Sequence, residues 1–510
     1  MTASEAGAPI TGFDPNTGCV IETAVRSTTA AEVDRICKRS AEAAQSFAHL
    51  GGTRRAKMLT ALATALTSHA EDIVASANRE TALGEERLRA ELQRTCGQLE
   101  MFARATAQGD VFEAIIDTPD PNSDPIRTAD LRRILVGLGP VAVFGASNFP
   151  LAFSVLGGDT ASALAAGCPV VVKAHDAHAG LAQLIGQIAR EVVGDGLLQL
   201  VYGFEAGQLL VQHRDIRAVS FTGSTAGGRA LHDLAAARPD PIPFYGELGS
   251  LNPVVITPGA ADENRDEIAA GFLGSVLLGG GQFCTKPGLL IVPAGHGFTD
   301  RLRDLGASLS QPALLTASIR SRFEASAAHQ QTIAGVVPII AFRPAHGPGF
   351  QVSPVLLSVR APDLTDSMLD ECFGPLSIVA EYASTEELMD LVRRMPGSLT
   401  ATVHATPSDD SVLLAELVPT LSARVGRLVW GGWPTGVAVT WAMQHGGPWP
   451  ASTSALHTSV GVTAIRRFLR PVAYQAMPDS LLPPELRDEN ANGLLRRVNG
   501  VLTHATIGTP

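Results

Sequence analysis

The feature that most constrains the fold is an alternation, beginning after residue 131, of short apolar runs and helical segments of small residues. Largely apolar runs are typical of strands that are buried on both faces of a parallel sheet. Strands separated by helices indicate a doubly wound α/β fold. The predicted strands are Pro140–Phe144, Pro169–Lys173, Leu198–Tyr202, Ala218–Phe221 and Pro253–Thr257, and the predicted helices are Phe149–Ala166, His178–Val193 and Thr225–Arg238.

The segment before this core has a different pattern. Residues 10–25 predict a short strand pair joined by a turn. Thr29 and Glu32 then have the spacing of a capping box, which opens a helix. From there to about Gln108 the chain is rich in Ala and Leu with interspersed charges, which predicts amphipathic helices.

Two boundaries are visible in the composition. Residues 117–129 contain three prolines and several acids, which favours a linker or an extended crossing arm. A second α/β stretch runs from about Ala261 to Thr440, and a polar tail follows Gln475. This tail is predicted to wrap a neighbouring subunit or to be partly loose.

Composition and charge exclude several classes of protein. The formal net charge is −11, and no basic face indicates nucleic-acid binding. No apolar run reaches 18 residues and the N-terminus lacks a signal-peptide pattern, so we expect a cytoplasmic protein without a membrane span. The six cysteines are far apart with no C-x-x-C pair, which predicts neither a disulfide framework nor a metal site.

Cys284 is the first candidate for chemistry. It follows three consecutive glycines, Gly279–Gly281, which let the backbone approach a ligand closely. A thiolate is a strong nucleophile that needs only modest activation. The alternative is a buried, inert cysteine behind a flexible loop.

Glu247 and Asn148 are the next candidates. Glu247 lies between glycines and apolar residues, where desolvation would bring its pKa towards that of a general base; the alternative is a carboxylate that accepts backbone hydrogen bonds in a turn. Asn148 lies between a predicted strand and a predicted helix. Its amide could stabilise an oxyanion beside a cysteine N–H, or it could cap the helix.

Lys173 and Ser224 both lie at predicted strand ends, where parallel sheets bind ligands. Ser224 with the first N–H groups of the next helix could bind a phosphate, or it could be a plain helix cap. No full G-x-G-x-x-G motif is present. His175 and His178 have no standard metal-ligand spacing and are predicted to be solvated loop histidines.

Together and in this order, these motifs resemble the aldehyde dehydrogenase superfamily over about residues 10–475. A closer resemblance is to the branch that contains 2-oxoglutarate semialdehyde dehydrogenases and NADP-dependent fatty aldehyde dehydrogenases. The superfamily motifs are Gly145–Pro150, Val171–Lys173, Phe221–Ser224, Gly246–Gly249, Gly281–Cys284 and Glu371–Pro375, and the branch motifs are Ser147–Ser154, Gly157–Val172, Pro434–Val437 and Ala442–Pro448.

The resemblance implies a role for each candidate. Cys284 would be the nucleophile, Glu247 the general base and Asn148 the oxyanion amide, acting through a thiohemiacetal and a thioester. NAD or NADP would be the cofactor. The residues implied at the cofactor are Lys173, Asp176, Phe221, Thr222, Gly223, Ser224, Leu248, Glu371 and Phe373, and those predicted at the substrate are Phe149, Lys286, Trp433 and Trp441.

Three residues depart from the pattern of these relatives, one of them Gly431, which replaces an asparagine that is common there. Asp176 stands where NAD-preferring relatives carry a glutamate, and an acid there would repel a 2′-phosphate, which makes NAD use credible. Lys286 stands where the branch more often has a neutral residue, and its ammonium is predicted to hold a substrate carboxylate. A solvated surface lysine is the alternative.

The resemblance also implies an architecture of two doubly wound parallel-sheet domains plus a small oligomerisation arm. Residues 1–116 and 137–248 would form the cofactor-binding domain and 249–450 the catalytic domain. Residues 117–136 and about 451–510 would form the arm and the tail. A homodimer or homotetramer is expected.

The sequence leaves several functions open. The first is oxidation of a semialdehyde that bears a carboxylate, with 2,5-dioxopentanoate as the expected substrate and 2-oxoglutarate as the product. The second is oxidation of aliphatic or aromatic aldehydes, favoured by an aromatic tunnel of tryptophans. Transfer of the thioester to coenzyme A is disfavoured by the presence of Glu247, and a non-enzymatic scaffold is disfavoured by Cys284 and Asn148.

Overall fold

The computed structural model describes residues 7–120, 122, 129–307, 309–345 and 347–508. The helices of this part of the chain are α1 Ala30–Ala48, α2 Gly52–Ser68, α3 Ala70–Thr81, α4 Glu85–Gln108, α5 Gly158–Ala165, α6 Ala179–Val193, α7 Phe204–Gln212, α8 Thr225–Ala236, α9 Pro258–Leu277, α10 Phe298–Gly306, α11 Ala317–Gln330, α12 Thr385–Arg394 and α13 Ser411–Ser422.

The strands form four sheets, one of them a two-stranded pair near the N-terminus. They are β1 Gly12–Phe13, β2 Val20–Ile21, β3 Ile115–Asp117, β4 Leu131–Gly137, β5 Val141–Phe144, β6 Val170–Lys173, β7 Leu198–Val201, β8 Ala218–Thr222, β9 Phe244–Glu247, β10 Pro253–Ile256, β11 Leu289–Pro293, β12 Val337–Ile340, β13 Val355–Arg360, β14 Leu376–Tyr382, β15 Ser398–His404, β16 Val425–Trp430, β17 Leu469–Gln475, β18 Arg496–Val498 and β19 Val501–Thr503.

The first sheet has the order β7-β6-β5-β8-β9, and all its pairs are parallel. The order runs outward in both directions from β5, which is the doubly wound arrangement predicted from the alternating pattern. Its strand ends lie side by side, with Phe144 opposite both Lys173 and Phe221, and Thr222 opposite Glu247. The candidate residues at these ends therefore share one edge of the sheet.

The second sheet has the order β12-β13-β14-β11-β10-β15-β16, and only the edge strand β12 is antiparallel. Two apolar clusters cover its faces, one of them including Phe272 and Phe298, the other Phe323 and Tyr382. β10 follows β9 after a short connection, so the two sheets meet directly beside the end of β9.

A third sheet, here called the arm sheet, has the order β17-β4-β3-β18-β19. It joins strands on both sides of the proline-rich segment to strands from the C-terminal tail. The tail predicted to be partly loose thus contributes two strands. Val501 and Leu502, on the edge strand β19, are exposed.

The local predictions match the structure closely, with one exception. Thr29 and Glu32 form the expected capping box at the start of α1. The helix predicted over Phe149–Ala166 begins only at Gly158, since the residues before it form turns. Most of the segment 121–128 lies outside the described residues. Among the residues that are described, no helix is long and apolar enough to cross a membrane.

Candidate active site

Cys284 lies just after a short 3-10 turn, Leu278–Gly281, that follows α9. The three glycines before it have φ values of 57°, 68° and 70°, a left-handed conformation that side chains disfavour. A Cβ on Gly281 would come within 2.4 Å of the backbone of Gly374. The glycines therefore let the cysteine loop pack directly on the loop after Glu371.

Asn252 holds the cysteine loop in place through hydrogen bonds to its backbone. This residue is fully buried, and its side-chain amide donates to the carbonyls of Cys284 at 2.7 Å and Lys286 at 2.9 Å. Its Oδ1 accepts hydrogen bonds from Ser250 and Thr400. The cysteine is thus positioned by a satisfied polar network at the junction of the two sheets.

His445 lies between Cys284 and Glu247. Its Nε2 is 3.4 Å from the Cys284 Sγ and 3.0 Å from the Glu247 Oε1. Only 1% of the histidine side chain and 4% of the glutamate side chain are exposed. A single ring nitrogen therefore serves both groups, and it can exchange a proton with one of them at a time.

The environment sets the protonation of the thiol and the carboxyl in opposite directions. Burial, and then the charges of Glu247 and Glu371, raise the pKa of Cys284 well above its usual range. Burial alone would also raise the pKa of Glu247, but His445 and a hydrogen bond donated by Ser459 outweigh it and lower that pKa. The resting site holds a thiol beside a carboxylate, and the thiol needs a base.

The segment from His445 to Ser459 closes the site. Beside Glu247, the Leu248 N–H donates to the Ala451 carbonyl at 2.8 Å, and the Thr453 N–H donates to the Gly246 carbonyl at 3.0 Å. Residues 451–453, which the sequence analysis placed with the arm and tail, pair with β9. This part of the chain holds the carboxylate that the sequence singled out.

Asn148 reaches the cysteine loop, as the sequence indicated. Its Nδ2 donates to the Gln282 carbonyl at 2.8 Å, two residues before Cys284. No helix begins at this position, so the alternative reading of Asn148 as a helix cap does not apply. The amide lies beside the thiol with a donor available for an oxygen.

A cavity of about 790 Å³ leads from the edge of the first sheet to Cys284 and Glu247. It lies at the carboxyl ends of β5, β6, β8 and β9, which is where doubly wound sheets bind nucleotides. The residues that resemble the family's cofactor contacts all line it: Lys173, Asp176, Phe221, Thr222, Gly223, Ser224, Leu248, Glu371 and Phe373.

The cavity wall fits a dinucleotide. Ser224 caps α8 by accepting from the Gly227 N–H at 3.3 Å, and both residues face the cavity. The helix therefore presents its N-terminus to an anion such as a phosphate. Burial raises the pKa of Glu371 to about 7, although the nearby Lys286 and a backbone hydrogen bond oppose the shift.

Lys173 and Asp176 form an ion pair at the wall of the cavity. The Lys173 Nζ lies 2.9 Å from the Asp176 Oδ1. The aspartate does face the cavity, but a cation already neutralises much of its charge. Its expected repulsion of a 2′-phosphate is correspondingly weaker.

The structure contradicts the expectation that Lys286 holds a substrate carboxylate. The lysine is 3% exposed, and its Nζ donates to the carbonyls of Cys372 at 2.9 Å and Leu376 at 2.6 Å. It lies behind the cavity wall and is not a surface lysine either. It holds the loop that carries Glu371 and Phe373.

The predicted aromatic tunnel of tryptophans is also not found among the described residues. Trp433 packs on Phe272 and on His404, with ring centroids 6.1 and 4.9 Å away. Trp441 is half exposed, and neither tryptophan lines the cavity. Phe149 does line it and makes an edge contact with Phe283, with centroids 5.1 Å apart.

Arginines that sequence reasoning missed lie near the thiol but outside the cavity. We call Arg87, Arg94 and Arg427 the arginine cluster. Arg87 lies over the rings of Phe149 and Phe283. Arg94 and Arg427 interact electrostatically with Cys284 and donate to carbonyls of the segment Pro434–Val437.

The residues that sequence reasoning missed differ in whether the sequence carries a signal for them. His445 stands inside the motif Ala442–Pro448, which had been noted only as a branch resemblance. A buried histidine in such a motif is a signal that could have been used. Arg94 and Asn252 carry no local signal, since one is a charge on a helix and the other a residue in a turn.

Comparisons with known proteins agree with this geometry. The profile of the aldehyde dehydrogenase family matches residues 1–468. An alpha-ketoglutaric semialdehyde dehydrogenase 2 of Azospirillum brasilense is 42% identical over 98% of this chain and 97% of its own. An alpha-ketoglutaric semialdehyde dehydrogenase of Acinetobacter baylyi is 40% identical over 92% of this chain and 91% of its own.

The solved structures give the same fold. A lactaldehyde dehydrogenase superimposes with a TM-score of 0.80 at 20% identity, over 92% of this chain and 96% of its own. At this identity the likeness concerns the fold alone. With the family profile and the two relatives, the conclusion is direct: the chain belongs to the aldehyde dehydrogenase family.

Proposed function

We propose that this enzyme, an aldehyde dehydrogenase that uses a nicotinamide cofactor, oxidises alpha-ketoglutaric semialdehyde (2,5-dioxopentanoate) to 2-oxoglutarate. The observation that carries the chemistry is the contact of one His445 nitrogen with both the Cys284 thiol and the Glu247 carboxylate. The semialdehyde is supported by the activity named for the two relatives and by the arginine cluster near the thiol.

The first half of the reaction acylates Cys284. The raised pKa of Cys284 leaves it a thiol at rest, so a base must remove the proton. His445 accepts this proton, because its Nε2 lies 3.4 Å from the sulfur. The thiolate attacks the aldehyde carbon, and the Asn148 amide donates to the developing oxyanion. The bound nicotinamide supplies the acceptor for the hydride of this carbon. Cys284 is left as a thioester.

The second half hydrolyses the thioester. Glu247 is ionised, so it can take a proton from a water molecule as that water attacks the thioester carbon. The C–S bond breaks, Cys284 leaves as a thiolate, and the product is a carboxylic acid. Ser459 donates to the other carboxylate oxygen and keeps Oε1 turned towards the thiol.

Arg94 is proposed to bind the distal carboxylate of the substrate. One of its Nη atoms is used on the Val437 carbonyl at 2.8 Å, but its buried Nε has no partner. Burial lowers its pKa, although Glu91, Cys284 and Glu247 oppose that shift. A half-buried guanidinium with an unused donor is suited to a carboxylate.

For the cofactor, we propose that Lys173 and Asp176 contact the adenosine ribose and that NAD is accepted. The ion pair places a carboxylate oxygen at the cavity wall, where it can accept from ribose hydroxyls. Because Lys173 offsets its charge, NADP is not excluded. Glu371 and Phe373 are proposed to contact the nicotinamide end.

Initial rates with 2,5-dioxopentanoate, succinate semialdehyde, hexanal and benzaldehyde, each under NAD and NADP, test the proposal. We expect the highest kcat/KM for 2,5-dioxopentanoate. A kcat/KM for hexanal that equals or exceeds it would contradict the assignment. That result would favour an enzyme for neutral aldehydes.

A further inference from the structure

We propose that Glu247, Cys284 and His445 form a Zn²⁺ site, through which zinc reversibly switches the enzyme off. The three side chains bring a carboxylate oxygen, an imidazole nitrogen and a thiol sulfur to within 4.8 Å of one another. These are ligand types that zinc binds in proteins. The site is distinct from a resident cofactor site, because its ligands are the reacting groups themselves.

The distances suit a tetrahedral ion. With Zn–S near 2.3 Å and Zn–N and Zn–O near 2.0–2.1 Å, ligand atoms lie about 3.3–3.6 Å apart. In the structure, Sγ to Nε2 is 3.4 Å and Nε2 to Oε1 is 3.0 Å. The third pair, Sγ and Oε1, lies within 4.8 Å, and rotation of the Glu247 and Cys284 side chains would bring these two atoms to the spacing around the ion.

The charge and hydrogen bonding of the site also favour a cation. The buried Glu247 Oε1 lies 3.0 Å from the His445 Nε2, whereas Oε2 accepts from Ser459. A thiolate and a carboxylate together neutralise the two positive charges of the ion, so the occupied site places no net charge in the interior.

The hydrogen bonding of His445 determines how tightly the site would hold zinc. The Nδ1 of His445 has no hydrogen-bond partner, whereas tightly held metals have histidine ligands fixed by such a bond. We therefore infer exchangeable binding. Glu247 and Cys284 line the cavity, which leaves the fourth coordination position open to water.

Zinc and turnover must exclude each other. The ion would bind the sulfur that attacks the aldehyde, the nitrogen that takes its proton and the oxygen that activates water. Zinc binding would release the Cys284 thiol proton to solvent, and a chelator would restore all three groups once the sulfur takes up a proton again. The bound thiolate would also be shielded from oxidants.

The test is equilibrium dialysis of the full-length enzyme against ZnCl₂ at micromolar free zinc, with activity measured on the same samples. We expect one ion per chain, loss of activity in proportion to occupancy, and recovery on adding EDTA. Co²⁺ should bind at the same stoichiometry and give a thiolate-to-cobalt charge-transfer band. The dialysis does not depend on which aldehyde is the substrate, so failure here is separable from failure of the proposed function.

Variants assign the ligands. His445→Asn, Cys284→Ser and Glu247→Gln should each weaken zinc binding about tenfold or more. Cys19→Ser and His232→Gln remove an exposed thiol and an exposed imidazole elsewhere and should bind zinc as the parent does. Circular dichroism identifies any variant that is not folded, and the remaining two still test the site. Zinc affinity unchanged in folded ligand variants, or no zinc bound, would overturn the proposal.

Discussion

The two sides of Cys284 are built in different ways. On the cofactor side, the cavity is lined by residues at strand ends of one sheet, which lie together because parallel strands end at a common edge. On the other side, Arg94 of α4 and Arg427 of β16 both donate to carbonyls of the segment 434–437. The first arrangement follows from local motifs, while the second depends on how distant parts of the chain pack.

The largest effect should come from the residue that both sides share. Cys284→Ala is expected to reduce aldehyde oxidation by about 10³-fold or more, because no other group supplies the nucleophile. Cofactor binding, measured by fluorescence titration, should stay within about twofold of the parent, since most of the cavity wall is unchanged. Residual oxidation near the parent rate would remove the thioester from the mechanism.

Glu247→Gln should separate the two halves of the reaction. The amide cannot take a proton from water, so steady turnover should fall by about 10²–10⁴-fold. One equivalent of reduced cofactor should still form in a burst if His445 alone activates the thiol. Stopped-flow absorbance measures both phases. Loss of the burst together with turnover would show that the carboxylate is also needed for acylation.

Two cations, the half-buried Arg94 and the buried Lys286, allow a direct comparison of the two sides. Arg94→Met should raise KM for 2,5-dioxopentanoate by about ten- to a hundredfold, as for a lost hydrogen bond to a charged group. Hexanal should be little affected. Lys286→Met is the matched control, since it should raise KM for the cofactor and alter both aldehydes equally. If Lys286→Met instead raised KM for the charged aldehyde alone, Lys286 would act on the substrate carboxylate and not on the cofactor.

Glu371 gives the cofactor side a pH dependence. Its pKa is raised to about 7, so it is ionised above neutrality and loses its charge as the pH falls. If its carboxylate accepts from a ribose hydroxyl, KM for the cofactor should rise as the pH drops below about 7. Glu371→Gln should give a flat profile with a uniformly higher KM. A parent profile that is flat between pH 6 and 8, about one unit each side of that pKa, would place Glu371 outside the cofactor contacts.

The smallest effect is expected at Asp176. Asp176→Asn removes a charge that Lys173 already offsets, so the ratio of kcat/KM for NADP to that for NAD should rise about fivefold or less. Substitution of the exposed Asp195 by Asn is a control that should leave the ratio unchanged. A ratio unaffected in both variants would show that the ion pair does not contact the ribose.

The sequence predicted the fold because it follows from short-range patterns, and most of the residues proposed for the cofactor lie at strand ends that the same patterns predict. The capping box of Thr29, the strand ends at Lys173 and Thr222 and the glycines before Cys284 all act within a few residues. Lys286 was placed wrongly for a physical reason. Nearness in sequence to Cys284 does not determine direction, and two carbonyls bind its ammonium behind the cavity wall.

The packing of the last part of the chain against β9 has a consequence for synthesis. The partners that keep Glu247 ionised, His445 and Ser459, lie about two hundred residues downstream. A nascent chain that has emerged only to residue 440 already contains every strand of the first two sheets. It lacks His445 and Ser459, which keep the Glu247 carboxylate ionised. The ribosome therefore completes the catalytic centre only after the strands of both sheets, and a chain terminated at residue 440 contains those strands without a competent catalytic centre.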